Sequence, residues 1–194
     1  MDQAYRETST VYGFICNGCE DSCCRTRFYH FTFIEYLYLL EGYMALKPSL
    51  RQEVQKRAEA YRRHMDTADK AGLSSPIFCP LNEERLCILY GWRPMLCRLH
   101  GIPHELHTPG KAIFRGSGCH VFDRTCGQIP YIPFDRTPFY RDLAAHEQNL
   151  RKEIEVDRKI KMTVAEMILD FEKKPKILDS PNYLSDIRKR HEIF

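Results

Sequence analysis

Residues 16–24 read CNGCEDSCC, a CxxCxxxCC pattern formed by Cys16, Cys19, Cys23 and Cys24. In the first pair a two-residue spacer lets both thiols turn toward one centre. Asn17 and Gly18 suit the tight turn this requires, because both types tolerate positive φ. Their N–H groups are also available to donate to metal-bound sulfur. The adjacent Cys23 and Cys24 are a different device. Neighbouring side chains diverge by about 100° on a helix and to opposite faces on a strand. A doublet of this kind feeds two nearby centres, or one thiol ligates while the other packs as a small hydrophobe.

Working outward, the remaining cysteines are Cys79, Cys87, Cys97, Cys119 and Cys126, which makes nine in 194 residues. Asn82 to Arg85 reads as a polar turn with a short strand leaving it, and this brings Cys79 and Cys87 together across a hairpin. Pro94 opens a short helix that carries Cys97 inward. Cys119 follows the flexible Gly116, Ser117 and Gly118, a turn able to deliver a last ligand. Cys126 is the odd ninth thiol and is set aside. Eight thiols then serve two four-cysteine centres, or one cluster plus a spare set. Thiolates gathered round a metal carry net negative charge, which a dry site must balance with N–H donors or cations. Arg93 and Arg98, which flank Cys97, are the candidates for that cofactor-facing role. Histidine ligands are a weaker expectation, with His100 and His120 ahead of His104 and His107.

CxxCxxxCC, then Cys79-Pro80, Cys87-Ile88, Tyr90, Arg93-Pro94 and Cys97-Arg98, resembles the YkgJ-like family of cysteine-cluster proteins. The resemblance spans roughly residues 16–119. It implies a zinc- or iron-chelating domain, with Cys16, Cys19, Cys23, Cys24, Cys79, Cys87, Cys97 and Cys119 as the metal ligands. It also implies that the N-terminal knuckle closes in space on Cys79, Cys87 and Cys97. Flagellin N-methylases, associated with an iron–sulfur cluster, look like more distant relatives. An iron–sulfur cluster, [4Fe-4S] above others, is favoured over Zn2+, because a second CxxC pair is missing and clusters accept irregular spacing. The expected function is metal binding with a redox or metal-handling role. A cluster-dependent methyltransferase-like enzyme and a structural zinc module that binds proteins are the alternatives.

The rest of the chain bounds these choices. The net charge of +3 is too small to argue for a polyanion, and no clear nucleic-acid site stands out. An unknown protein partner is the remaining expectation. Residues 1–9 lack the apolar run of a secretory signal, so a cytoplasmic protein is expected and clustered cysteines point to metal rather than disulfides. The most apolar stretch, residues 28–46, contains His30, Glu35 and Glu41, so a buried helix is expected there and no membrane span. Leu50, Val54, Ala58, Tyr61, Met65 and Ala68 mark one face of a helix opened by Pro48 and running to about Lys70. Residues 111–115 and 118–122 are expected to pair as strands. Further helices are expected from Thr137 to about Ile154 and from a capping box at Thr163 and Glu166 through Phe171. Pro175 and Pro181 should then break the pattern. The fold class that follows is mainly α with a small β-hairpin and an irregular cysteine-rich element, its helices packed around a Cys-ligated metal centre. Residues 1–133 form the cysteine-cluster domain, and residues 134–194 a C-terminal helical extension packed on it.

Overall fold

A computed structural model describes residues 1–16, 23–73 and 77–173. Cys19 and the expected breaks at Pro175 and Pro181 lie outside the described residues. Among the described residues, seven α-helices and two short two-stranded sheets follow in chain order.

Helix α1, Asp2–Val11, was not among the expected helices. Polar contacts anchor it: Asp2 accepts from Arg98 at 2.6 Å, and the Tyr5 hydroxyl donates to the His100 carbonyl at 2.6 Å. Helix α2, Phe33–Met44, is buried on nearly every side, which explains its apolar character all round. It is shorter than expected. Residues 28–32 are extended, because His30 exchanges two backbone hydrogen bonds with Met162, at 2.8 and 3.0 Å. Thr32 then caps α2, its hydroxyl oxygen accepting the Glu35 N–H at 3.2 Å.

Helix α3, Pro48–Lys70, has the length and the buried face that its pattern predicts, with Val54, Ala58, Tyr61 and Ala68 inside. Its wet face carries the Glu53–Arg57 and Glu59–Arg63 pairs at 3.1 and 4.0 Å. Helix α6, Thr137–Glu153, packs on α2, and α7, Val164–Glu172, packs on α2 and α3. The capping box that opens α7 is complete, with Thr163 and Glu166 each bonding the other's backbone. Residues from both sides of position 133 share one apolar core, with Leu39, Leu40, Leu99, Leu150 and Ile168 fully buried. Truncating such a leucine to alanine costs about 2–5 kcal/mol.

The hairpin β1, Asn82–Glu83, with β2, Leu86–Cys87, turns through Glu84 and Arg85, both at positive φ (48° and 68°). That is the backbone a two-residue hairpin requires. The other expected strand pair is corrected. Strand β4, Phe114–Gly116, pairs with β3, His104–Leu106. Residues 118–122 do not form a strand, because Cys119 caps α5, His120–Cys126, by accepting the Phe122 N–H on Sγ at 3.4 Å.

Two elements shape the cysteine region. A single 3-10 turn, Tyr90–Trp92, lies so close to α2 that a Cβ on Gly42 would clash with the Trp92 ring. Helix α4, Met95–Arg98, follows it directly.

Candidate metal centre

Cys23 and Cys24 lie where the chain turns toward α2. The Cys79 N–H donates to the Cys24 carbonyl at 2.7 Å, fastening the N-terminal knuckle to the start of the hairpin segment. Arg27 adds a fork to Asp69 near the end of α3, at 2.7 and 2.8 Å. Strand β2 supplies Cys87 and helix α4 supplies Cys97. Four separated stretches thus bring Cys23, Cys24, Cys79, Cys87 and Cys97 to one cavity of about 20 Å³, closed by Leu39, Leu81 and Val164. No disulfide joins two of the described cysteines.

The thiols touch one another. Cys24 interacts with Cys23 and Cys79, and Cys23 also with Cys97. As they stand, no three Cys, His, Asp or Glu side chains among the described residues converge on one ion position. The contacts sort the thiols by proton affinity. Sharing with Cys24, then with Cys97, and burial push the Cys23 thiol far up. Contact with Cys24 and burial push Cys79 up too. Burial, together with the neighbouring Cys24, raises Cys87 to about 12. Cys97 moves the other way, to about 6, because Cys23 and His30 stabilise its thiolate. These are metal-free values. A cation at the centre favours every thiolate and releases the protons.

His30 is the residue that sequence reasoning missed. Its side chain is inaccessible to solvent, and it lines a second small cavity together with Cys23, Cys79 and Cys97. Glu35, 3% exposed, stands 3.5 Å from His30 Nδ1. The Glu35 carboxylate is pinned by the Thr32 hydroxyl at 2.7 Å and by the Met95 N–H at 3.1 Å, so it also fixes the start of α4. Burial opposes charge on the ring, but the neighbouring Cys97 and Glu35 outweigh it and raise His30 to about 9. The sequence signal was a histidine near the start of the most apolar stretch, seven residues after Cys23 and five before Glu35.

The two arginines divide. Arg93 lowers the proton affinity of Cys87 and donates to the Cys97 carbonyl at 3.3 Å. Arg98, 6% exposed, donates to Asp2, to the Arg93 carbonyl at 2.7 Å, to the Tyr38 hydroxyl at 2.9 Å and to the Gly91 carbonyl. Those contacts make it a fastener between α1, α2 and α4, whereas the thiol pocket has His30 and Arg93 beside it.

Cys16 and Cys119 are grouped elsewhere. Burial and the charges of these two thiols raise the Tyr5 phenol. Cys119 lines a larger cavity, about 150 Å³, with His100, His104 and Arg136. His107 is bound to Glu105 at 2.8 Å, and His120 is exposed at the start of α5. Cys126 is buried, its thiol donating to the Tyr12 carbonyl at 3.4 Å.

The fold and the pocket define a helical domain with a cysteine-lined cavity between its central helix and an irregular hairpin segment. No family model, curated protein or solved structure matches the chain.

Proposed function

We propose that the chain is a metal-binding protein that holds an iron–sulfur cluster or zinc through clustered cysteines, in a redox or metal-handling role. The observation that carries this is the meeting of five thiols from four separated stretches at one small cavity. Chance packing of buried cysteines does not require such a convergence. Soft thiolates select zinc, Cu(I) or iron–sulfur chemistry over hard cations. Cys23, Cys24, Cys79, Cys87 and Cys97 would supply the sulfurs. Arg93 would offset the charge, and Leu39, Leu81 and Val164 would keep water out. The resemblance to the YkgJ-like family points the same way. When bound, a cluster supplies electron transfer, and zinc supplies structure or Lewis acidity.

The test is anaerobic purification followed by an absorption spectrum and elemental analysis. A brown protein with iron and sulfide supports the cluster. A colourless protein with stoichiometric zinc supports the zinc centre and a structural or protein-binding role. A protein with neither metal, and no uptake on reconstitution, overturns the reading.

A further inference from the structure

Cys23, Cys79 and Cys97 line both of the small cavities of the thiol region. On one side of this trio stand Cys24 and Cys87, and on the other stands His30. A four-coordinate site built on the trio therefore has two ways to complete itself.

We propose that His30 is the nitrogen ligand that completes the set with Cys23, Cys79 and Cys97, and that Glu35 orients its ring. The inference rests on the metal-centre reading above and adds a donor outside the cysteine pattern. His30 is 1% exposed, and its ring nitrogens have Cys97 and Glu35 beside them, with neither contact reaching good hydrogen-bond geometry. A buried polar atom left in that condition costs about 1–3 kcal/mol, and it calls for an explanation such as an ion. Cys24 makes no such demand. A neutral thiol behaves as a small hydrophobe and is comfortable between Cys23 and Cys79.

The surroundings of the ring fit the same role. A metal-bound histidine usually gives its other N–H to a carboxylate, which fixes the tautomer and the ring plane. Glu35 Oε1 stands 3.5 Å from Nδ1, and both Glu35 oxygens are held by other donors. Nδ1 is thus matched to Glu35, and Nε2 is the nitrogen left for the metal. The His30 backbone is pinned to Met162 on both sides of the residue. The imidazole is therefore presented by a rigid segment. Charge favours the mixed set as well. Three thiolates and a neutral imidazole leave a divalent ion near −1, where four thiolates leave it near −2, and the smaller charge is cheaper in an apolar site. Ligation would replace the present thiol–thiol contacts, because deprotonated sulfurs repel unless a cation lies between them.

Cobalt(II) reports the donor set directly. Metal-free protein is titrated anaerobically with Co2+, and far-ultraviolet circular dichroism checks the fold of each variant. Wild type should give tetrahedral ligand-field bands with the sulfur-to-cobalt intensity of three thiolates. His30→Cys keeps a ligand, and its charge-transfer intensity should rise by roughly one third as three thiolates become four. His30→Ala should lose the tetrahedral spectrum. Glu35→Gln should weaken cobalt affinity about 10- to 100-fold. A four-thiolate spectrum in wild type, unchanged in His30→Cys and His30→Ala, overturns the assignment and leaves a cysteine-only centre standing. If wild type takes up no cobalt, His30 as the fourth ligand of a mononuclear site is overturned, while the metal-centre reading still stands or falls on the iron, sulfide and zinc assay above.

Discussion

Two regions of this molecule each place cysteine beside histidine, and their electrostatics are opposite. In the thiol pocket, His30 lies next to Cys97 and the buried Glu35, and its proton affinity rises to about 9 despite burial. In the larger cavity beside Cys119, burial and the Arg136 charge depress His104 to about 4. Arg136 is 6% exposed and donates to the Leu99 carbonyl and, at 3.3 Å, to the Ile102 carbonyl. Beside the thiols the fully buried fixed charge is the Glu35 carboxylate, which favours a cation, with Arg93 only half-buried at the rim; beside His104 it is the Arg136 guanidinium, which disfavours one. Ligand-type residues alone therefore do not distinguish the two regions; the sign of the buried charge around them does.

The largest effect should come from Cys97→Ser, which removes the thiol that touches both Cys23 and His30. We expect bound metal to fall toward zero and the melting temperature to drop with it, because metal binding and folding are coupled. Metal per chain and a thermal melt are the measurements. Full occupancy in this variant would erase the distinction between the two regions.

Arg98→Met should come next. Losing hydrogen bonds from a buried charged donor costs about 2–3 kcal/mol, and a chain of this size then melts roughly 4–12 °C lower. Metal content should stay constant, because the guanidinium fastens α1 and α4 rather than facing the thiols. A drop in metal at unchanged melting temperature would return Arg98 to the charge-balancing role expected from its sequence position.

The His104 region should show itself in acid. Its folded-state affinity lies below the ordinary histidine value, so the unfolded chain takes the proton first. Stability is intact above about pH 6.5 and declines as pH falls toward about 4. His104→Gln should flatten that part of a stability–pH curve measured by denaturant titration. A curve that keeps its full slope in the variant would locate the acid sensitivity elsewhere.

Cys119→Ser should do least. Serine is the better helix cap, so stability should stay within about 1 kcal/mol of wild type, with the metal of the thiol pocket retained. Lost metal would show that the second region also binds it, and the contrast would collapse.

Helices α3, α6 and α7 were legible in the chain because their signals are local. Apolar periodicity, Pro48 and Pro138 at helix starts and the Thr163–Glu166 capping box all act within a few residues. The Cys79–Cys87 hairpin and the short helix with Cys97 were legible for the same reason. Helix α1 was not expected, and beyond its apolar face a charge pair with Arg98 and a tyrosine hydroxyl on a distant carbonyl hold it. The strand at His104–Leu106 was not legible either, because its partner lies beyond a loop and its ladder leaves no period in so few residues.

What the sequence determined by itself was the inventory: a mainly helical chain carrying enough clustered cysteines to make metal the leading question. What the tertiary structure decided was the grouping. It gathered Cys23, Cys24, Cys79, Cys87 and Cys97, set Cys16 and Cys119 beside Tyr5, spent Arg98 on Asp2 and backbone carbonyls, and brought His30 and Glu35 into the thiol pocket. Proximity between residues tens of positions apart is fixed by how α2, α4 and α7 pack, and the spacing of residues along the chain does not encode that packing.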